Sequence, residues 1–114
     1  MSKPNPWTEI EKHYISLNDH GWAHDRLLEL VRHIQSNYTA NRLFACTSLD
    51  TLIISADEDI ERKKDALHID FERETQKWKF QYFAQPYKEP EFVRQYEAGL
   101  GIEKFDNFIK MIGW

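Results

Sequence analysis

The stretch ALHIDFERETQKWKFQYF, residues 66–83, decides the fold of this chain, because apolar and polar residues alternate in it twice, around a polar break at Glu74 and Thr75. In a β-strand, a period of two places successive side chains on opposite faces. The segment therefore predicts an antiparallel hairpin with one apolar face, and the rest of the chain must cover that face. The residues predicted to share it are Leu67, Ile69, Phe71, Trp78, Phe80 and Tyr82.

The composition indicates one acidic domain. The chain has 114 residues and a formal net charge of −4, from 15 Lys and Arg against 19 Asp and Glu. Nucleic-acid backbones bind clustered cations, so this balance argues against nucleic acid as the main partner and favours a basic protein. Cys46 is the single cysteine and cannot form an internal disulfide, and the sequence shows no secretory signal and no long apolar run. We therefore expect a cytoplasmic protein without a membrane partner.

Two helices are predicted before the strands. Thr8, with Glu11 three residues later, matches the capping box that begins a helix. Gly21 is a suitable left-handed residue for the end of this helix. Apolar residues at helical spacing then predict a second helix from about Trp22 to Tyr38.

Two short strands are predicted over residues 43–48 (LFACTS) and 51–56 (TLIISA), because both segments are rich in β-branched and aromatic residues. Residues 57–65 are predicted to form a charged loop that leads into the hairpin.

Two helices are predicted after the hairpin. Pro90 suits the first position of one helix, whose apolar stripe is Phe92, Val93 and Tyr96. A last helix is predicted from about Ile102, where apolar residues recur every three to four positions.

The predicted architecture is α+β, a single domain over residues 1–114 with a four-stranded antiparallel meander, two N-terminal helices and two C-terminal helices. The residues predicted for its core are Leu27, Val31, Ile34, Ile54, Leu67, Ile69, Phe71, Trp78, Phe80, Phe105 and Ile109.

The histidines raise the question of a metal site. His20 and His24 are four residues apart, and Asp25 follows directly. A metal site needs three or four converging ligands, and neither an HExxH nor a CxxC motif accompanies the pair. We interpret these histidines as surface residues at helix ends and expect no metal or other cofactor. An enzyme or metal protein built on His20, His24 and Asp25 is the alternative.

The sequence offers no catalytic motif. Cys46 is predicted in the middle of a strand, whereas a reactive cysteine needs an electropositive and partly open site. Ser48 and Ser55 lie in no GxSxG pattern, and the glycines all fall at predicted helix ends rather than in a phosphate-binding loop. We therefore expect no enzymatic activity.

Acidic residues are the best candidates for binding a partner. Four of them crowd the loop after the second strand, and two more are predicted on the outward face of the hairpin. Residues 62–64 are basic and offset part of this charge, so a solvated loop is the alternative. The predicted partner-binding residues are Asp57, Glu58, Asp59, Glu61, Asp70 and Glu72.

The closing stretch EKFDNFIKMIGW (residues 103–114), the strands at 43–48 and 51–55, and the hairpin HIDFERETQKWKFQYF (residues 68–83) carry a family resemblance. In layout the chain resembles the small αβ immunity proteins of bacterial polymorphic-toxin and contact-dependent growth inhibition systems. This resemblance implies a non-enzymatic inhibitor that binds one cognate toxin domain in the cytoplasm and blocks its active site or substrate path.

Toxins of such systems are often nucleases and therefore often basic, so an acidic immunity protein would be steered towards its target. The alternative function is a small cytosolic protein-interaction module or homodimer without a toxin partner. It would use an open strand edge, or an apolar patch such as Trp22, Tyr87 or Trp114.

Overall fold

The computed structural model describes residues 4–58, 65–85 and 88–114, apart from the side chain of Tyr38. These residues form three α-helices and one antiparallel sheet of five strands. The helices are α1 (Trp7–Asp19), α2 (Asp25–Gln35) and α3 (Gly101–Ile112). The strands are β1 (Phe44–Ser48), β2 (Thr51–Ser55), β3 (Ala66–Glu72), β4 (Lys77–Phe83) and β5 (Phe92–Glu97). In the described parts of the chain, no helix has the length and apolar character that crossing a membrane requires.

The predicted hairpin is confirmed as β3 and β4. The two strands pair antiparallel with Ile69 opposite Phe80, and alternate residues of both strands are buried. Their turn lies at residues 73–76, where Gln76 takes a left-handed φ of 56°. The predicted strands at 43–48 and 51–56 are also present, as β1 and β2. The alternation in the sequence therefore places the apolar face correctly.

The segment after Pro90 is a strand and not the predicted helix. It forms β5, which pairs antiparallel with β4 so that Phe92 lies opposite Tyr82 and Tyr96 lies opposite Trp78. Residues four apart share a face of a helix, and they also share a face of a strand, so the apolar spacing fits both structures. The open edge of β4 decides between them, because its backbone groups gain partners only when a strand pairs there.

The predicted arrangement of four strands with two helices at each end is therefore wrong. The sheet has five strands in the order β1-β2-β3-β4-β5, and α3 is the one α-helix that follows it in the described chain. The α+β class is correct, and consecutive strands do form a meander.

The helix ends also differ from the prediction. The first helix begins at Trp7, after Pro6, so Thr8 lies inside it and does not cap it. The Trp7 indole donates a hydrogen bond to the Leu43 carbonyl oxygen at 3.1 Å, which anchors this end of α1 to the start of β1. The second helix begins at Asp25 rather than Trp22, because Gly21 and Ala23 adopt left-handed φ angles of 84° and 55° that a right-handed helix excludes.

All three helices pack against the same face of the sheet. Buried residues from each helix, such as Ile10, Leu27 and Phe105, form one cluster with the β2 and β3 residues Ile54 and Ile69. Each large side chain buried in this way contributes about 1.5–3 kcal/mol relative to an exposed one. All the residues predicted for the core are buried.

The opposite face of the sheet is not covered by any described helix. A row of side chains crosses it from β2 to β5, because Ile53 pairs with His68, His68 with Gln81, and Gln81 with Val93. Most of this row is half-buried, and Val93 is exposed. We call this surface the open face.

Candidate functional site

Three connections meet at one end of the sheet. Because consecutive strands are antiparallel, the β1–β2 turn at Leu49 and Asp50 lies at the same end as the β3–β4 turn at residues 73–76. The α1–α2 loop reaches this end too, where its Gly21 carbonyl oxygen accepts a hydrogen bond from the Arg73 guanidinium at 3.0 Å.

A cleft of about 440 Å³ opens between these connections. We call it the acidic cleft; it is lined by Trp22, His24, Asp50, Asp70, Phe71, Glu72, Arg73, Glu74 and Lys79.

His24 forms part of the wall of the acidic cleft. Its side chain is only 2% exposed, and its Nε2 lies 2.9 Å from Asp50 Oδ2. Its backbone N–H donates to Asn18 Oδ1 at 2.5 Å, which fixes the loop just before α2. Among the described residues, its buried Nδ1 finds no hydrogen-bond partner. His24 therefore positions the Asp50 carboxylate, and the adjoining loop holds the ring in place.

Tyr14 holds the backbone of Asp50 in place. Its hydroxyl donates to the backbone carbonyl oxygen of Asp50 at 3.0 Å. Burial, together with the negative charges of Asp50 and Asp70, raises the pKa of Tyr14 well above its usual value, so the phenol stays protonated and remains a donor. The Thr51 hydroxyl donates to the carboxylate of Asp70. The Asp50 carbonyl oxygen and the Asp70 carboxylate are thus each held by a hydroxyl donor.

The charge in the cleft is predominantly negative. Four carboxylates line it, and only Arg73 and Lys79 offset them. Lys79 lies opposite Asp70 in the β3–β4 register, and both residues are half-buried. The lining of the cleft therefore carries two more carboxylates than cations. Trp22 is 40% exposed and lines the same cleft, and an indole ring can bind a cation on its face. The arrangement is suited to binding a cationic group such as an arginine or lysine side chain.

The structure separates the residues predicted to bind a partner. Asp70 and Glu72 line the acidic cleft, whereas Asp57 and Glu58 follow β2 at the other end of the sheet. Strands rise about 3.3 Å per residue, so the two groups are roughly 13–20 Å apart along β3. Asp59 and Glu61 lie outside the described residues.

The histidine pair does not converge. His20 is exposed, and its Nδ1 lies 2.7 Å from the Ser16 carbonyl oxygen of the preceding helix α1, whereas His24 is buried against Asp50. The residues that the structure describes contain no group of three or more His, Cys, Asp or Glu side chains able to hold a metal ion. The interpretation of these histidines as surface residues is correct for His20 and wrong for His24.

Cys46 and Ser55 are two further residues that the sequence raised as candidates for chemistry. Cys46 is buried in β1, as predicted. The Ser55 hydroxyl donates to the Asp65 carbonyl oxygen at 2.8 Å and accepts from the Asp57 N–H at 3.2 Å. Ser55 therefore joins the two ends of the connection between β2 and β3.

Sequence reasoning missed Asp50 and Glu74 as members of the site, and it named Trp22 only as a possible apolar patch for the alternative function. Asp50 looks like an ordinary turn residue, and 26 residues separate it from its partner His24. Only the pairing of β2 with both β1 and β3 brings Asp50 next to Asp70. The one signal in the sequence was that Asp50 directly precedes a strand. This signal is weak, because Asp is common in turns.

Comparisons with protein-family models, with curated proteins and with solved structures each find no match.

Proposed function

We propose that this protein is a non-enzymatic immunity protein that binds and neutralises a cognate toxin domain in the cytoplasm of the producing bacterium. The observation that carries the proposal is the acidic cleft, in which the buried His24 ring holds the Asp50 carboxylate and the Thr51 hydroxyl holds the Asp70 carboxylate. The rim of the cleft adds Glu72 and Glu74. A basic domain, such as a nuclease, is the partner that this charge fits.

The proposed mechanism is occlusion. A basic side chain that the toxin uses to bind its substrate enters the cleft, and the surrounding surface then covers the toxin's active site. Two opposite charges 4 Å apart interact by about 1 kcal/mol in water and about 4 kcal/mol near a protein surface. The net charge of −4 additionally accelerates encounter with a basic partner at low salt. Occlusion needs shape and charge but no chemical step by the inhibitor.

Gene context and a growth assay test the proposal. We expect the gene directly upstream to encode a large protein with a C-terminal toxin domain. Expression of that C-terminal domain alone should stop growth, and co-expression of this protein should restore it. An upstream gene without such a domain, or a domain that forms no complex with this protein, would refute the proposal.

Two charge-reversal variants locate the contact. Glu72→Lys with Glu74→Lys changes the rim of the acidic cleft, and Asp57→Lys with Glu58→Lys makes the same charge change at the other end of the sheet. We expect the first pair to weaken binding to the toxin domain about tenfold and to reduce its salt dependence. If the first double variant binds the toxin domain as tightly as the wild type does, the acidic cleft is not part of the interface. If only the second double variant loses affinity, the contact lies at the β2–β3 connection.

A second candidate is a protein-interaction module or homodimer that has no toxin partner. The observation that favours it is the free edge of β5, at which no further strand pairs in the described chain. Light scattering across protein concentrations tests the homodimer, because the measured mass would rise towards twice 13.7 kDa.

A further inference from the structure

The two edges of the sheet differ. Beside β1, the Asn5 N–H donates to the Ala45 carbonyl oxygen at 2.8 Å, so the N-terminal segment occupies part of that edge. Beside β5, no described residue pairs with the far side of the strand. Alternate residues of an edge strand present unpaired N–H and C=O groups that can bind another extended chain.

A groove of about 370 Å³ runs beside the free edge, between β5 and α3. Phe92 and Tyr96 supply rings from the strand, and Phe108 and Met111 supply apolar surface from the helix. The rings of Phe92 and Phe108 are 5.8 Å apart, and the Met111 side chain is 69% exposed. We call this surface the β5 groove.

Two cations stand over the aromatic rings of the β5 groove. The guanidinium of Arg94 lies 5.3 Å from the centre of the Phe92 ring, and the ammonium of Lys104 lies 5.3 Å from the centre of the Tyr96 ring. Within the described chain, neither cation forms an ion pair with a carboxylate. In a chain with a net charge of −4, the β5 groove is therefore a local positive site.

We infer that the β5 groove and the adjoining strand edge bind an extended acidic segment of a partner protein, which adds to the sheet as a sixth strand. Backbone hydrogen bonds to β5 would hold the segment, and its alternate side chains would enter the groove. The side chains of Phe92, Arg94 and Tyr96 lie on the helix-covered face of β5, with Arg94 in the middle. The fitting segment has an acidic residue with an apolar residue two positions away on each side.

A second copy of this chain fits the β5 groove less well. Pairing of β5 with β5 would bring two grooves side by side and place both copies of Arg94 and Lys104 close together. An acidic segment instead supplies the carboxylates that these cations lack. The inference does not rest on the toxin proposal, because the acidic cleft and the β5 groove share no lining residue.

Nuclear magnetic resonance with two synthetic peptides tests the inference. The probe is acetyl-Thr-Val-Thr-Glu-Thr-Val-Thr-amide, and its matched control carries Lys in place of Glu. At peptide concentrations up to about 1 mM, where weak complexes are visible, we expect the Glu peptide to shift amide signals of β5 and α3. The Lys peptide should bind roughly fivefold or more weakly. This comparison uses the wild-type protein and needs no variant to fold.

A charge swap sharpens the test. Arg94→Glu with Lys104→Glu should reverse the preference, so that the Lys peptide binds more tightly. Arg26→Glu with Lys110→Glu gives the same net charge and changes two residues that do not line the β5 groove, so it should keep the original preference.

Three results would overturn the inference. The first is the absence of shifts with the Glu peptide, and the second is an equal response to both peptides. The third is a dimer by light scattering whose β5 amides are protected from exchange, because a second copy would then occupy the edge.

Discussion

The two faces of the sheet are built from the same strands, yet one carries buried core residues and the other carries polar and charged surface residues. On the helix-covered face, Ile69 and Phe80 are 0% and 1% exposed and face each other across β3 and β4. On the open face, the neighbouring pair is Asp70 and Lys79, and both are only half-buried. One residue along the strand therefore separates a core position from a charged surface position.

This difference shows where the fold gains its stability. Apolar surface removed from water contributes about 25 cal/mol per Å², whereas a cross-strand charge pair contributes only about 0.2–1 kcal/mol. The helix-covered face therefore stabilises the sheet, and the charges of the open face and its ends are available for binding at little cost to the fold.

The largest expected effect tests the helix-covered face. Ile69→Ala or Phe80→Ala should lower the free energy of unfolding by about 2–5 kcal/mol, because each leaves a cavity in a packed core. Urea denaturation measures this loss. The matched control is Ile53→Ala, the same kind of truncation on the open face, which should cost markedly less. Near-wild-type stability in both core variants would mean that the two faces have been assigned the wrong way round.

A smaller effect is expected where α3 begins against the sheet. Gly101 lies so close to Trp78 that an added Cβ would stand 2.2 Å from the indole Cε2. The Trp78 side chain has little room to move away, because it is 1% exposed and its Nε1 donates to the Ala98 carbonyl oxygen at 2.9 Å. Gly101→Ala should therefore cost about 1–3 kcal/mol of stability. Gly99→Ala is the control, since a Cβ there meets no atom within 4 Å; equal thermal stability of both variants would contradict the close contact.

The smallest effect concerns pH and the open face. Burial lowers the pKa of His68 below its usual value of 6.5, and the charge of Asp70 only partly opposes this shift. The unfolded chain then binds more protons than the folded chain, so stability falls as the pH decreases through about 6.5. In urea denaturation from about pH 8 to about pH 5, His68→Gln should lose less stability than the wild type. Parallel pH profiles of the two proteins would show that the open face does not desolvate this ring.

The local pattern of apolar and polar residues was enough to predict part of the fold. The alternation in residues 66–83 predicted β3, β4 and the buried set, because a strand's side chains alternate whatever surrounds it. The spacing of Phe92 and Tyr96 was not enough, since helix and strand both place them on one face. The candidate site was predictable only for Asp70 and Glu72, which belong to the hairpin itself.

The order of residues along the chain thus sets the hairpin and its apolar face, because these depend on a period of two within a single segment. Long-range contacts set the rest. The free edge of β4 makes β5 a strand, since backbone groups there need partners. The meander brings the β1–β2 turn beside β3 and the α1–α2 loop, so that Asp50, Asp70 and His24 meet in one cleft. Such meetings depend on which strands pair, and no local spacing encodes that choice.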